Sequence, residues 1–191
     1  MLEALNELDT SWFLWIYSLH CPTLDCVLWT ISQRWCWVVV LGLFFGLTTL
    51  RLEPQQWWLV LVAGSLCFLI ADQASVHLLK EAVCRLRPCH ALEEVRMFRT
   101  SCGGQYGFVS SHAANAFALL TLLGLRYQKN APVSVILLIL WALMTCYSRV
   151  YLGKHYPGDI VGGILLGIVV GGLIYALMAM IEKKLHKNET K

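Results

Sequence analysis

The chain has 191 residues, enough for one domain, but it is 58% hydrophobic and only 14% charged, against about 25% charged residues in an average soluble domain. That balance excludes an ordinary soluble globule, and the long uncharged runs read as membrane spans. The net charge of +3 is small, and no basic face interleaved with aromatics forms, which argues against a nucleic-acid partner.

Residues Met1 to His20 mix Glu3, Glu7 and Asp9 with Leu5, Leu8, Trp12, Phe13, Trp15 and Tyr17. This stretch is too short to span and rich in aromatics, so it is expected to be an interfacial helix ending near Cys21-Pro22. Acids ahead of the apolar run and no basic leader speak against a cleavable signal peptide. A first span is expected from Leu24 to Leu50, interrupted by Gln33 and Arg34, with Arg34 turned toward protein or a wet cavity. The second runs from Trp57 past Asp72, His77 and Lys80 to about Leu86, and Pro88 marks its end. Residues Cys89 to Gly107 form the longest loop. A third span starts at Ser110 or Ser111 and reaches Leu125, a fourth covers Val133 to about Tyr147, and a fifth covers Pro157 to Ile181. The expected fold is all-α: a polytopic membrane bundle of about five transmembrane helices plus the interfacial helix, in one domain over residues 1–191.

Three polar clusters sit at span ends on one side of that topology. The first is Lys80-Glu81-Ala82-Val83-Cys84-Arg85-Leu86-Arg87-Pro88. If the helix continues, Lys80 and Arg87 share one face about 10 Å apart along the axis, where they either converge on one anion or meet lipid headgroups. The second is Phe108-Val109-Ser110-Ser111-His112, where free amides of a helix N-terminus and a serine hydroxyl can cradle phosphate. The third is Ser148-Arg149 followed by His155 and Asp159, expected as a loop, in which Asp159 can accept a hydrogen bond from one ring nitrogen of His155. Arg51, Arg126, Lys129 and the C-terminal Lys183, Lys184, Lys187 and Lys191 fall on the opposite side, which the positive-inside rule makes cytoplasmic. The clusters then face the periplasm or exterior.

Lys80…Arg87-Pro88, then Ser110-Ser111-His112, then Ser148-Arg149…His155…Asp159 resembles the signature of the type 2 phosphatidic acid phosphatase (PAP2) superfamily. Its pattern is K-x6-R-P, P-S-G-H and S-R-x5-H-x3-D, in this order. The first and third motifs match in full; in the second, Val109 replaces proline and Ser111 replaces glycine. The resemblance covers about Lys80 to Asp159. It implies His155 as nucleophile, Asp159 as its orienting acid and His112 as general acid and then base. Lys80, Arg87, Ser110, Ser111 and Arg149 become phosphate-binding residues. It implies no cofactor and no metal, with inhibition by vanadate.

The implied substrate is a lipid phosphate within the membrane lipids, and the implied place is the bacterial inner membrane. The chain looks most like the short bacterial lipid A phosphatases, with undecaprenyl diphosphate as the alternative substrate. A lipid phosphotransferase and a non-catalytic anion binder are the competing classes, and the oligomeric state is open. Arg85 is read as a headgroup anchor or a further phosphate contact. Asp72 and His77 are read as polar groups bonded between helices, and Lys154 as a loop cation. Of eight cysteines, Cys36, Cys67 and Cys146 read as small hydrophobes. Cys89 and Cys102 flank the long loop and are candidates for a disulfide, with Cys84 a rival partner.

Overall fold

The computed structural model describes residues 2–99 and 101–189, so Lys191 of the basic C-terminus lies outside the described residues. Helix α1 (Leu2–Tyr17) carries Leu5, Leu8, Trp12 and Trp15 as one exposed stripe, while Phe13 is fully buried. It stops at Tyr17, earlier than expected. Pro22, at the favoured first helical position, then starts a separate helix, α2 (Pro22–Ile31).

The expected single run from Leu24 to Leu50 is therefore two helices. The chain turns at Ser32-Gln33, whose amides bond back to carbonyls of α2, and α3 (Arg34–Leu52) starts afresh. Arg34 stands at the head of the span, where its charge reaches a cavity, and not in the middle of it. Helix α4 (Trp57–Val83) follows, with a π-helical stretch at Ala74–Lys80. A four-residue helix, α5 (Pro88–Ala91), lies in the long loop. Then come α6 (Ser111–Tyr127), α7 (Pro132–Tyr151) and α8 (Pro157–Glu189).

Four of these, α3, α4, α7 and α8, are long and apolar enough to cross a membrane. Helix α6 has 17 residues and is shorter, but it is walled in by its neighbours: Ala113, Ala114, Asn115, Ala116, Ala118, Leu119, Leu122 and Leu123 are all buried. The main core gathers Trp37, Phe44, Val60, Leu122, Trp141 and Ile174 around it from α3, α4, α6, α7 and α8. The closest packing is between α6 and α8. A Cβ on Gly163, Gly167 or Gly171 would meet the carbonyl oxygens of Ser110, Ala114 and Ala118, respectively, at less than 3 Å. Glycine every fourth residue thus lets two backbones touch, as small-residue helix interfaces in bilayers do.

A second cluster of Phe13, Val150, Tyr156 and Ile160 fastens α1 to the ends of α7 and α8. At the opposite end Arg126 is gripped by Glu53 at 2.8 Å and by Glu182 at 2.7 Å. The loop between α4 and α6 is closed at its base by an isolated antiparallel bridge between Leu86 and Tyr106. It is also closed by a Cys89–Cys102 disulfide, with 6.0 Å between the Cα atoms. Cys84 is free and exposed.

Candidate active site

Helix α4 ends at Val83 because Cys84 turns left-handed, with φ of 52°. Lys80 and Arg87 consequently do not share a helical face, as the seven-residue spacing suggested. Arg87 sits in extended backbone, its amide bonded to the Gln105 carbonyl at 3.1 Å, and comes at the site from the loop while Lys80 comes from the helix. Helix α7 differs in the opposite sense. It runs on through Ser148, Arg149 and Val150 to Tyr151, so Arg149 projects from a rigid last turn and not from a loop. Gly153, with φ of 74°, then reverses the chain in the manner of a helix C-cap. The amides of Lys154 and His155 return to the Arg149 carbonyl at 3.0 and 3.2 Å.

These turns bring Lys80, Arg87, Ser111, His112, Arg149 and His155 to the wall of one cavity of about 580 Å³, with Arg34, Asp72 and Asn115 also lining it. His155 is 1% exposed. Its Nε2 accepts from Arg87 Nη1 at 3.0 Å, and that guanidinium also donates to the Lys154 carbonyl. Nδ1 lies 3.4 Å from Asp159 Oδ2, within ion-pair reach but out of line for a hydrogen bond. Asp159 is fully buried. Its Oδ2 accepts from the Tyr156 amide at 3.0 Å and its Oδ1 from Arg85 Nη1 at 3.0 Å.

Burial, and then the charges of Arg87, Arg149 and Lys80, hold the His155 imidazole well below its usual value; the Gly107 backbone pulls weakly the other way. The ring is neutral at pH 7, and its Nε2, facing a guanidinium that can only donate, carries the lone pair. Burial, with Arg149 and Arg87 adding to it, pushes Lys154 down to about 8. Burial also lowers Arg87, against the pull of Asp159. The Nε atoms of Arg87 and Arg149 are buried without a hydrogen-bond partner among the described residues. Buried donors of that kind are uncommon and point to an anionic ligand.

Ser110 and Ser111 are placed differently from the expectation. Ser110 is buried and does not line the cavity: it is the N-cap of α6, its hydroxyl accepting from the Ala113 amide at 3.5 Å. The hydroxyl facing the cavity is that of Ser111, bonded to Ser75 Oγ at 2.6 Å and to Lys80 Nζ. His112 occupies the first turn of α6 with its ring edge-on to Trp37.

Asp72 meets Asn115 across α4 and α6 at 3.4 Å, as a polar group between helices does. His77 does not: it is exposed beside Glu81 on its own helix. Arg85 is neither a headgroup anchor nor part of the cavity wall, because its guanidinium is taken up by Asp9 at 2.7 Å and Asp159. Sequence reasoning missed that pairing, since Asp9 is 76 positions away and carries no motif. Among the described residues no group of three or more His, Cys, Asp or Glu could hold a metal ion.

A family profile described as the PAP2 superfamily matches residues 57–183. A lipid A 4'-phosphatase of Bacteroides thetaiotaomicron is 31% identical over 195 residues, covering 98% of this chain and 84% of the relative. A second lipid A 4'-phosphatase, from Porphyromonas gingivalis, is 30% identical over 177 residues, covering 91% and 74%. Among solved structures, a transmembrane PAP2-type phosphatidylglycerolphosphate phosphatase from Bacillus subtilis superposes with a TM-score of 0.67 at 22% identity, covering 95% of this chain and 87% of that one.

Proposed function

This chain belongs to the PAP2 superfamily, and from that premise we propose that it removes the 4'-phosphate of lipid A by way of a phosphohistidine. At the coarser level it is an integral membrane phosphatase of the PAP2 type acting on lipid phosphates. The observation that carries the finer reading is the cavity itself: four cations, a serine hydroxyl and two histidines converge on one space. An apolar groove of about 470 Å³ adjoins it, sharing Leu41 and Phe68 with its wall and continuing between α3, α4 and α6 past Phe44, Val60 and Leu119. A phosphate held among the cations while an acyl chain lies in the groove describes a substrate that never leaves the bilayer.

In this mechanism Nε2 of His155 attacks phosphorus as the bond to the lipid oxygen breaks, and His112 gives the departing alkoxide a proton. Water then attacks the phosphohistidine, His112 takes its proton, and inorganic phosphate leaves. Asp159 supports the positive charge that grows on the ring. Arg87 donates to Nε2 before substrate arrives, so its guanidinium must turn to the phosphoryl oxygens as the lone pair is freed. Lys80, Arg149 and Ser111 hold the same oxygens as charge shifts, a role aimed at the transition state. Ser110 contributes by fixing the start of α6. The reading needs no metal or cofactor, and it takes residues 1–191 as one catalytic domain in the inner membrane with the cavity toward the periplasm.

The test is phosphate release by the purified protein from a panel of lipid A, undecaprenyl diphosphate, phosphatidylglycerophosphate and phosphatidate. Lipid A is expected to be turned over fastest, with loss of its 4'-phosphate by mass spectrometry and no turnover by His155→Ala. Preference for undecaprenyl diphosphate would move the role to carrier-lipid recycling. Full activity of His155→Ala would remove the phosphohistidine.

A further inference from the structure

Helix α1 delivers a carboxylate to the back of the catalytic pair, and the cavity chemistry does not account for it. Asp9 lies one turn before the buried Phe13, whose ring packs edge-on against Tyr156. Its Oδ1 accepts from the Gly158 amide at 2.7 Å, in the first turn of α8. Its Oδ2 is 2.7 Å from Arg85 Nη1, which in turn is 3.0 Å from Asp159 Oδ1. Arg85 Nη2 donates to Asn6 Oδ1 at 2.9 Å, and the guanidinium lies 4.2 Å above the Tyr156 ring. A continuous chain therefore runs from Asn6 and Asp9 through Arg85 to Asp159 and on to His155.

We propose that Asp9 and Arg85 are positioning residues that hold Asp159 in register with His155. The proposal rests on the reading of His155 as the nucleophile. A fully buried carboxylate needs a countercharge. With Arg85 behind it, Asp159 satisfies one oxygen there and keeps the other on the His155 side. Without Arg85, the cations left acting on Asp159 include Arg87 and Lys80, which line the cavity. Asp159 would turn to them, release the imidazole and compete with the substrate phosphate for their charge. Asp9 acts at two points. It fixes the guanidinium, and by capping the first turn of α8 through the Gly158 amide it sets where Asp159 begins. The catalytic pair is thus fastened by a helix that supplies no residue to the cavity wall.

The experiment measures kcat and KM for the full chain in lipid nanodiscs, together with thermal melting. Arg85→Met and Asp9→Asn are each expected to lower kcat about 10- to 100-fold, the scale of an ångström-sized misplacement. KM should not fall and should rise by less than kcat drops, because Asp159 then competes for Arg87 and Lys80 while the larger loss is the orientation of His155. Arg85→Lys should recover part of the loss. The double variant should fall no further than Arg85→Met alone, since an asparagine at position 9 can still accept from the Gly158 amide and its remaining effect runs through Arg85. Asn6→Ala removes a single exposed hydrogen bond and should lower kcat a few-fold with melting unchanged, which separates positioning from unfolding.

A raised KM at constant kcat would overturn the proposal in favour of a headgroup contact. So would unchanged kcat in both single variants, or losses that only follow melting. Wild-type protein that prefers another lipid of the panel overturns the lipid A reading and leaves this one to be scored on that lipid. Wild-type protein inactive on the whole panel overturns both.

Discussion

Gly107 shows how tightly the site is drawn at the level of single residues. Its amide bonds to the Arg85 carbonyl at 2.7 Å. A Cβ added there would lie 2.8 Å from Asp159 Oδ2 and 3.4 Å from Arg87 Cγ. The residue has no catalytic chemistry, yet an alanine must displace the carboxylate or the guanidinium. Gly107→Ala is therefore expected to cost about tenfold or more in kcat/KM while the protein still folds, read by phosphate release beside a melting curve. Ser111 shows the reverse. It occupies a position where the superfamily motif prefers glycine, and its extra hydroxyl is absorbed by Ser75 and Lys80. The departure from the motif adds a hydrogen-bonding group to the cavity wall instead of blocking it.

Among the elements, the contact of α6 with α8 bears most on the site, because α6 carries Ser111 and His112 while α8 carries Asp159. The glycines at 163, 167 and 171 keep those two N-termini together. Gly167→Ala puts a methyl group less than 3 Å from the Ala114 carbonyl oxygen and the Ala118 amide nitrogen, two backbone atoms that cannot step aside. Its expected cost is about 1–3 kcal/mol, seen as a lower melting temperature in detergent. Gly172→Ala on the same helix meets nothing within 4 Å and should leave melting unchanged or slightly raised. Helix ends matter as much as helix faces. The left-handed Cys84 brings Arg87 to the cavity from a loop while Lys80 comes from the helix, and the reversal at Gly153 returns His155 to Arg149.

For the whole molecule, the ends of α4 and α7 and the starts of α6 and α8 meet at one side, with the disulfide-closed loop above them. The grip of Glu53 and Glu182 on Arg126 lies at the other. A site facing the periplasm predicts which face a water-soluble reagent reaches. In a variant keeping Cys84 as its single free thiol, a membrane-impermeant maleimide should label the protein in spheroplasts without permeabilisation. Labelling in inverted vesicles alone would reverse the orientation. The disulfide fits the same side, since such bonds persist in oxidising compartments.

Long apolar runs, the aromatic N-terminal helix and the order of the polar clusters were readable directly from the chain. A bilayer demands continuous apolar length with internally satisfied backbone, and this is a local property of sequence. The family resemblance was readable for a similar reason, because its motifs are short and their gaps are set by helix ends. The break at Ser32-Gln33, the end of α4 at Val83, the extension of α7 through Arg149, the turn of Ser110 away from the cavity and the engagement of Arg85 by Asp9 were decided only in three dimensions. Each depends on groups tens of residues apart competing for the same hydrogen bonds and charges, and spacing along the chain says nothing about which partner wins.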